Sequence, residues 1–148
     1  MPKIYVNGID LFYDVQGTGE ALILIAGFDC DSEYWSAVMP ALTNKYQVIR
    51  FDNRGAGQTS YLPTPQAVYH QSRAIIHHHT SDRIAQIICP TLVAVGTEDI
   101  VTPVIFSEQL ADGIPNAELV VFERGGHGFL VEFPDDVVKV MLNFLAKH

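Results

Sequence analysis

The chain is poor in cysteine, in positive charge and in long apolar runs. Its 148 residues hold two cysteines. Cys30 and Cys89 lie far apart and make no Cys-x-x-Cys pair, which argues against a disulfide framework and a zinc knuckle. Both read as ordinary small apolar residues. Lys and Arg number 9 against 17 Asp and Glu, a formal charge of −8 with neutral histidines. No basic run is present to neutralise a phosphate backbone, so nucleic acid and anionic membrane are not expected as partners. The longest apolar stretch, Ala21 to Phe28, falls far short of the roughly 20 residues that cross a bilayer. The opening Met1 to Gly8 reads as strand and turn and lacks the apolar stretch and cleavage site of a secretory leader, so the expected location is the cytoplasm. A dinucleotide fingerprint is missing its third spaced glycine at Gly55-Ala56-Gly57, and no phosphate-binding lysine motif occurs, so no cofactor is expected.

What is there suits a folded protein. With 48% hydrophobic and 18% charged residues, the chain can bury roughly 70% of its unfolded surface, which excludes global disorder. A single domain over 1–148 is the expectation. Ile4 to Val6, Asn7-Gly8 and Ile9 to Val15 spell an antiparallel hairpin, because a two-residue type I′ turn needs positive φ twice. Ala21 to Ala26 is a continuous apolar run that suits a strand covered on both faces. Trp35, Val38, Met39 and Leu42 share the spacing of one amphipathic helix, with Asp31 or Ser32 as cap. Tyr46 to Asp52 reads as a second buried strand. Pro63-Thr64-Pro65 breaks structure, and Gln66 to Ile88, free of Gly and Pro, is expected to be mostly helical. Thr91 to Val95 and Leu119 to Phe122 follow as strands and Val104 to Leu110 as a helix. A final helix, started by Pro134-Asp135-Asp136, carries Val137, Val140, Met141, Phe144 and Leu145 on one face. Alternating strands and helices predict an α/β fold, with a mostly parallel sheet and an antiparallel N-terminal edge.

In such sheets ligands bind beyond the carboxyl ends of the strands. Four loops stand there: Gly27-Phe28-Asp29, Asn53 to Thr59, Gly96-Thr97-Glu98-Asp99, and Gly125-Gly126-His127-Gly128. A carboxylate after one strand can hold the tautomer of an imidazole presented after the next, leaving its other nitrogen to accept a proton. The residues by themselves also allow a plainer reading, with His127 in a glycine-rich turn and Asp99 accepting backbone N–H bonds.

These motifs resemble the α/β-hydrolase fold family over nearly the whole chain, in two blocks, 1 to about 64 and about 66 to 148. Leu24-Ile25-Ala26-Gly27-Phe28 resembles the family's strand ending in a His-Gly oxyanion loop, with Ala26 in place of the usual His. Phe51-Asp52-Asn53-Arg54-Gly55-Ala56-Gly57-Gln58-Thr59 is similar to the family's Asp-x-Arg-Gly-x-Gly-x-Ser turn. Pro90 to Asp99 resembles the strand that delivers the triad acid, and Gly125 to Gly128 the loop that delivers the base. The resemblance implies a three-layer α/β-hydrolase-like architecture, shortened in the middle. It also implies metal-free hydrolysis of a small ester or related acyl or C–C substrate. In that chemistry Asp99 and His127 are orienting acid and general base, and the backbone N–H of Phe28 is an oxyanion donor. Haloperoxidase-like or lyase chemistry is also within the family.

One element of the pattern is missing. No Gly-x-Ser-x-Gly occurs, and none of Ser32, Ser36, Ser60, Ser72, Ser81 and Ser107 sits on a strand-to-helix elbow between glycines. The segment that carries the elbow strand, the following strand and the lid is expected to be deleted near 61–70, with the join near Thr64-Pro65-Gln66. If the chain is continuous, the helix from Gln66 can bring the Thr91 strand beside the Ala21 strand. Exchange of halves between two copies would instead cover the exposed edges as a homodimer. Cys30, Ser60 and Asp99 are substitute nucleophiles without elbow geometry, so weak or absent turnover is the expectation. A truncated, non-catalytic module binding a small apolar ligand is the alternative. His77-His78-His79, with His70 upstream, reads as a solvated helix face, because successive helical side chains point about 100° apart and cannot converge on one ion.

Overall fold

A computed structural model describes residues 2–28, 30–59 and 65–148. Asp29, in the expected oxyanion loop, Ser60, and the first part of the expected deletion region, 61–64 with Thr64 of the join, lie outside the described residues. The chain forms two compact units, Met1–His78 and His79–His148.

The first unit is built on a sheet of order β1-β2-β4-β3. Strands β1 (Lys3–Val6) and β2 (Ile9–Gln16) form the expected hairpin, with Val6 opposite Ile9. Asn7 and Gly8 take φ of 50° and 78°, as a type I′ turn requires. Strand β4 (Tyr46–Phe51) pairs antiparallel with β2 and parallel with β3 (Glu20–Leu24). Val38, Leu42 and Val48 are fully buried, with Phe12 and Leu24 beside them in the core.

Three expectations for this unit are corrected. The Ala21 strand is the last in the sheet order, and it alternates rather than being covered on both faces: Leu24 and Ala26 are buried while Ile23 and Ile25 are 57% and 63% exposed. The helix expected over 35–42 is split into a 3-10 turn, Ser32–Trp35, and a short α1, Met39–Leu42. Pro40 near the α1 start has no N–H to continue an earlier helix. Of the two expected caps, Asp31 acts, its Oδ1 accepting from the Glu33 amide at 3.0 Å. Helix α2 runs only from Pro65 to Ile76. His77-His78-His79 follow it as exposed residues past the helix end, and Thr80-Ser81-Asp82 bring side chains that compete for backbone hydrogen bonds.

In the second unit β5 (Thr91–Gly96) and β6 (Ala117–Phe122) form a parallel ladder running from Thr91–Ala117 to Gly96–Phe122. Of the strand partners described, β5 has β6 and β3 has β4. Helix α3 (Val104–Gly113) packs on both strands, and α4 (Phe129–Glu132) meets α5 (Pro134–Leu145). Asp135 and Asp136 fall in the first turn of α5, where the helix dipole favours negative charge. Val93, Val95, Ile114, Leu130 and Val137 are buried. No helix among the described residues is long and apolar enough to cross a membrane.

Candidate active site

Two adjacent parallel strands end side by side, and their following loops are bound to each other. The Thr97 amide donates to the Phe122 carbonyl at 3.0 Å and the Glu98 amide to the Gly125 carbonyl at 2.9 Å. The Arg124 amide donates to Thr97 Oγ1 at 2.7 Å. Gly96 lies so close to Gly125 that a Cβ there would overlap the Gly125 carbonyl. Phe122 stacks on Phe129 with ring centroids 4.9 Å apart. The Glu132 carboxylate accepts from the Gly126 amide at 3.0 Å, bracing the turn that carries His127.

These contacts bring together the two residues singled out in the second block. Asp99 Oδ2 and His127 Nδ1 are 2.9 Å apart. The Asp99 side chain is 3% exposed and the His127 ring 58% exposed. The other oxygen, Oδ1, accepts from the amides of Val101 and Thr102, both at 2.8 Å. Thr102 Oγ1 donates to Oδ2 at 2.8 Å and lies 3.3 Å from His127 Nδ1. Burial pushes the Asp99 carboxyl upward. The amide of Thr102, the His127 ring, the Thr102 hydroxyl and the Val101 amide outweigh it and hold the group at about 2. An ionised carboxylate only accepts hydrogen bonds, so the proton of a neutral His127 is placed on Nδ1. Nε2 is then the basic nitrogen, and no partner for it occurs among the described residues.

Thr102 is a site residue that the sequence reading does not single out. The signal is present in the spacing: an Asp whose carboxylate takes the amides two and three residues on is an Asx-type turn, and Pro103 then opens α3. The Thr102 proton goes to Asp99, and the facing nitrogen Nδ1 carries its own proton. The hydroxyl therefore meets no free base and is not an activated nucleophile. Both oxygens of Asp99 are engaged as acceptors, which disfavours the carboxylate as a nucleophile as well.

The first unit holds Phe28 in the turn after β3, 46% exposed, on the wall of a cavity of about 410 Å³. Ala26, Asn53, Arg54, Val68 and Ile75 also line it. Asn53 Nδ2 donates to the Ala26 carbonyl at 2.8 Å, tying the loops after β3 and β4, and Gln71 Nε2 on α2 donates to the Arg54 carbonyl at 2.6 Å. Asp52 is 2% exposed and accepts from the Ser32 amide at 2.8 Å and the Gln58 amide at 2.6 Å. Thr59 Oγ1 donates to the Asp52 carbonyl and accepts from the Phe12 amide. The Asp52 to Thr59 motif thus organises loops, and Arg54 is structural in the same sense, donating to the Asn7 carbonyl at 2.7 Å. Cys30 is half-buried. Tyr34 has its phenol pushed up by burial and by Cys30. No group of three or more His, Cys, Asp or Glu side chains fit to hold a metal ion occurs among the described residues.

Comparison with known proteins places the chain. Residues 70–147, more than half of it, match the family model described as TAP-like protein. A putative carbamate hydrolase, RutD, of Caulobacter sp. (strain K31) is 33% identical over 85 residues, 57% of this chain and 32% of the relative. Pyrrolizixenacetamide deacetylase of Xenorhabdus hominickii is 43% identical over 61 residues, 40% of this chain and 23% of the relative. The chain therefore spans about a third or less of the curated relatives it matches. The enol-lactonase of Burkholderia xenovorans LB400 shares the fold with a TM-score of 0.83 at 15% identity, over 98% of this chain and 100% of the other. The family match, the relatives and the shared fold together make this chain a member of the TAP-like family within the α/β-hydrolase superfamily.

Proposed function

We propose that this chain carries the acid–base machinery of a hydrolase acting on a small ester or a related acyl or C–C substrate. Asp99 orients His127, His127 Nε2 is the general base, and the Phe28 amide is an oxyanion donor. The observation that carries this reading is the 2.9 Å contact between Asp99 Oδ2 and His127 Nδ1, which engages Nδ1 and leaves Nε2 as the nitrogen available to take a proton. Relatives described as a carbamate hydrolase and a deacetylase support hydrolysis as the reaction class. Without a Gly-x-Ser-x-Gly nucleophile the 148-residue form has weak turnover at most, because positioning and oxyanion binding alone leave only residual catalysis.

The test combines a fluorophosphonate probe with a short-chain ester assay. Intact mass near 16.4 kDa without an adduct, and slow ester turnover lost in His127→Ala but kept in His79→Ala, is the expected result. Equal turnover in the His127→Ala chain would overturn the reading.

A second reading is favoured by the cavity of about 410 Å³ beside Phe28: a non-catalytic module that holds a small apolar ligand there. Saturable thermal stabilisation by a short-chain alcohol, with no turnover of any ester, is its signature. In either reading the exposed Ile23 on β3 and Ile25 just past its end support a homodimer formed by exchange of segments, checked by sedimentation equilibrium.

A further inference from the structure

We propose that Thr102 is the positioning residue of the Asp99–His127 pair, its amide and hydroxyl gripping opposite oxygens of one carboxylate so that Oδ2 faces the imidazole. The assignment rests on reading His127 as the general base. Four donors meet the Asp99 carboxylate, and Thr102 supplies two of them: N–H to Oδ1 and Oγ1–H to Oδ2, each at 2.8 Å. The Val101 amide adds a second donor on Oδ1, while on Oδ2 the only companion of the Thr102 hydroxyl among the described residues is His127 Nδ1. A carboxylate held only through Oδ1 is free to tilt Oδ2 away from the ring; the hydroxyl removes that freedom.

The same hydroxyl moderates the pair. It shares Oδ2 with His127, at 3.3 Å from Nδ1, so it withdraws acceptor strength from the oxygen that the ring uses. Loss of the hydroxyl leaves the ring with an undivided but less well aimed acceptor. The Glu132 carboxylate is on the Gly126 amide, and Arg124 meets this region through its backbone at Thr97.

The experiment follows the Asp99 carboxyl carbon and the His127 ring nitrogens by NMR in the full chain. It compares wild type, Thr102→Val, Thr102→Ser and, as a control at the start of β5, away from the two loops, Thr91→Val. In Thr102→Val the Asp99 titration is expected to move up by about half to one pH unit, the equivalent of one lost hydrogen bond to the charged form. The His127 ring is expected to lose its single-tautomer signature. Thr102→Ser restores both, and Thr91→Val, which removes only a hydroxyl bonded to the Cys89 carbonyl, leaves both unchanged. Wild-type signals in Thr102→Val, or the same change in Thr91→Val, would overturn the assignment. These readouts need no turnover. Resonances that move as expected in a chain whose ester turnover is equal in wild type and His127→Ala uphold the positioning role and sink the hydrolase reading. Turnover with unmoved resonances does the reverse.

Discussion

Gly96 and Gly125 touch backbone to backbone, at the point where β5 and β6 release the loops that carry Asp99 and His127. A methyl group at Gly96 overlaps the Gly125 carbonyl, and no flexible side chain is there to give way. Gly96→Ala is therefore expected to cost about 1–3 kcal/mol by overpacking. It should also separate Asp99 from His127. Urea unfolding reads the first effect, and loss of the Nδ1-protonated ring signature in NMR reads the second.

Removing the negative charge from the pair tests its polarity. Asp99→Asn offers an amide that can present N–H to Nδ1, so the ring is expected to switch its proton to Nε2 and lose the free base. If the wild-type chain turns over an ester, kcat in Asp99→Asn should fall by roughly two orders of magnitude or more. Structure and KM should change little. A variant with unaltered kcat would show that the carboxylate has no part in the reaction.

The acid stability of the chain should carry the mark of Asp99. Its carboxyl is held at about 2 against an ordinary 3.8, so the unfolded chain binds the proton more readily. The contribution to stability is thus complete above 3.8 and is lost as pH falls through about 2. Asp99→Asn is expected to be less stable than wild type at neutral pH, with the gap closing across that interval. Denaturant midpoints measured for both chains from neutral to acid pH give the comparison, and a constant gap would contradict the assignment.

In the first unit, Asp52 is the corresponding test of loop architecture. Asp52→Ala leaves the Ser32 and Gln58 amides without their acceptor, at a cost of roughly 2–5 kcal/mol for two donors in buried and partly buried positions. Asp52→Asn keeps one carbonyl oxygen and should lose less. Thermal unfolding that ranks the two variants in the opposite order would mean that the carboxylate does not hold these loops.

Much of this is legible in the amino-acid order where the deciding physics is local. Asn7-Gly8 specifies its hairpin because two positive φ values in succession suit few other residue pairs, and Pro134-Asp135-Asp136 marks the start of α5 for similar reasons. The pairing of Asp99 with His127 is foreshadowed by their loops. What escapes the reading depends on neighbours in space. The open face of β3 follows from its place in the sheet order, which the apolar run Ala21 to Ala26 does not reveal. The role of Thr102 is hidden because a hydroxyl three residues beyond an aspartate is common, and only the bond to Oδ2 makes it part of the pair. The split of the expected 35–42 helix is a different case, since Pro40 is visible in the sequence and apolar spacing outweighs it in a periodicity argument.

The parallel ladder of β5 and β6 has a consequence for how such a protein can change. Asp99, His127 and Thr102 all lie within His79–His148, in the loops that follow neighbouring strands and are tied to each other. Insertion, loss or replacement of chain upstream leaves those bonds intact. The relation between Asp99 and His127 is thereby self-contained: it does not have to be built again when the sequence upstream changes.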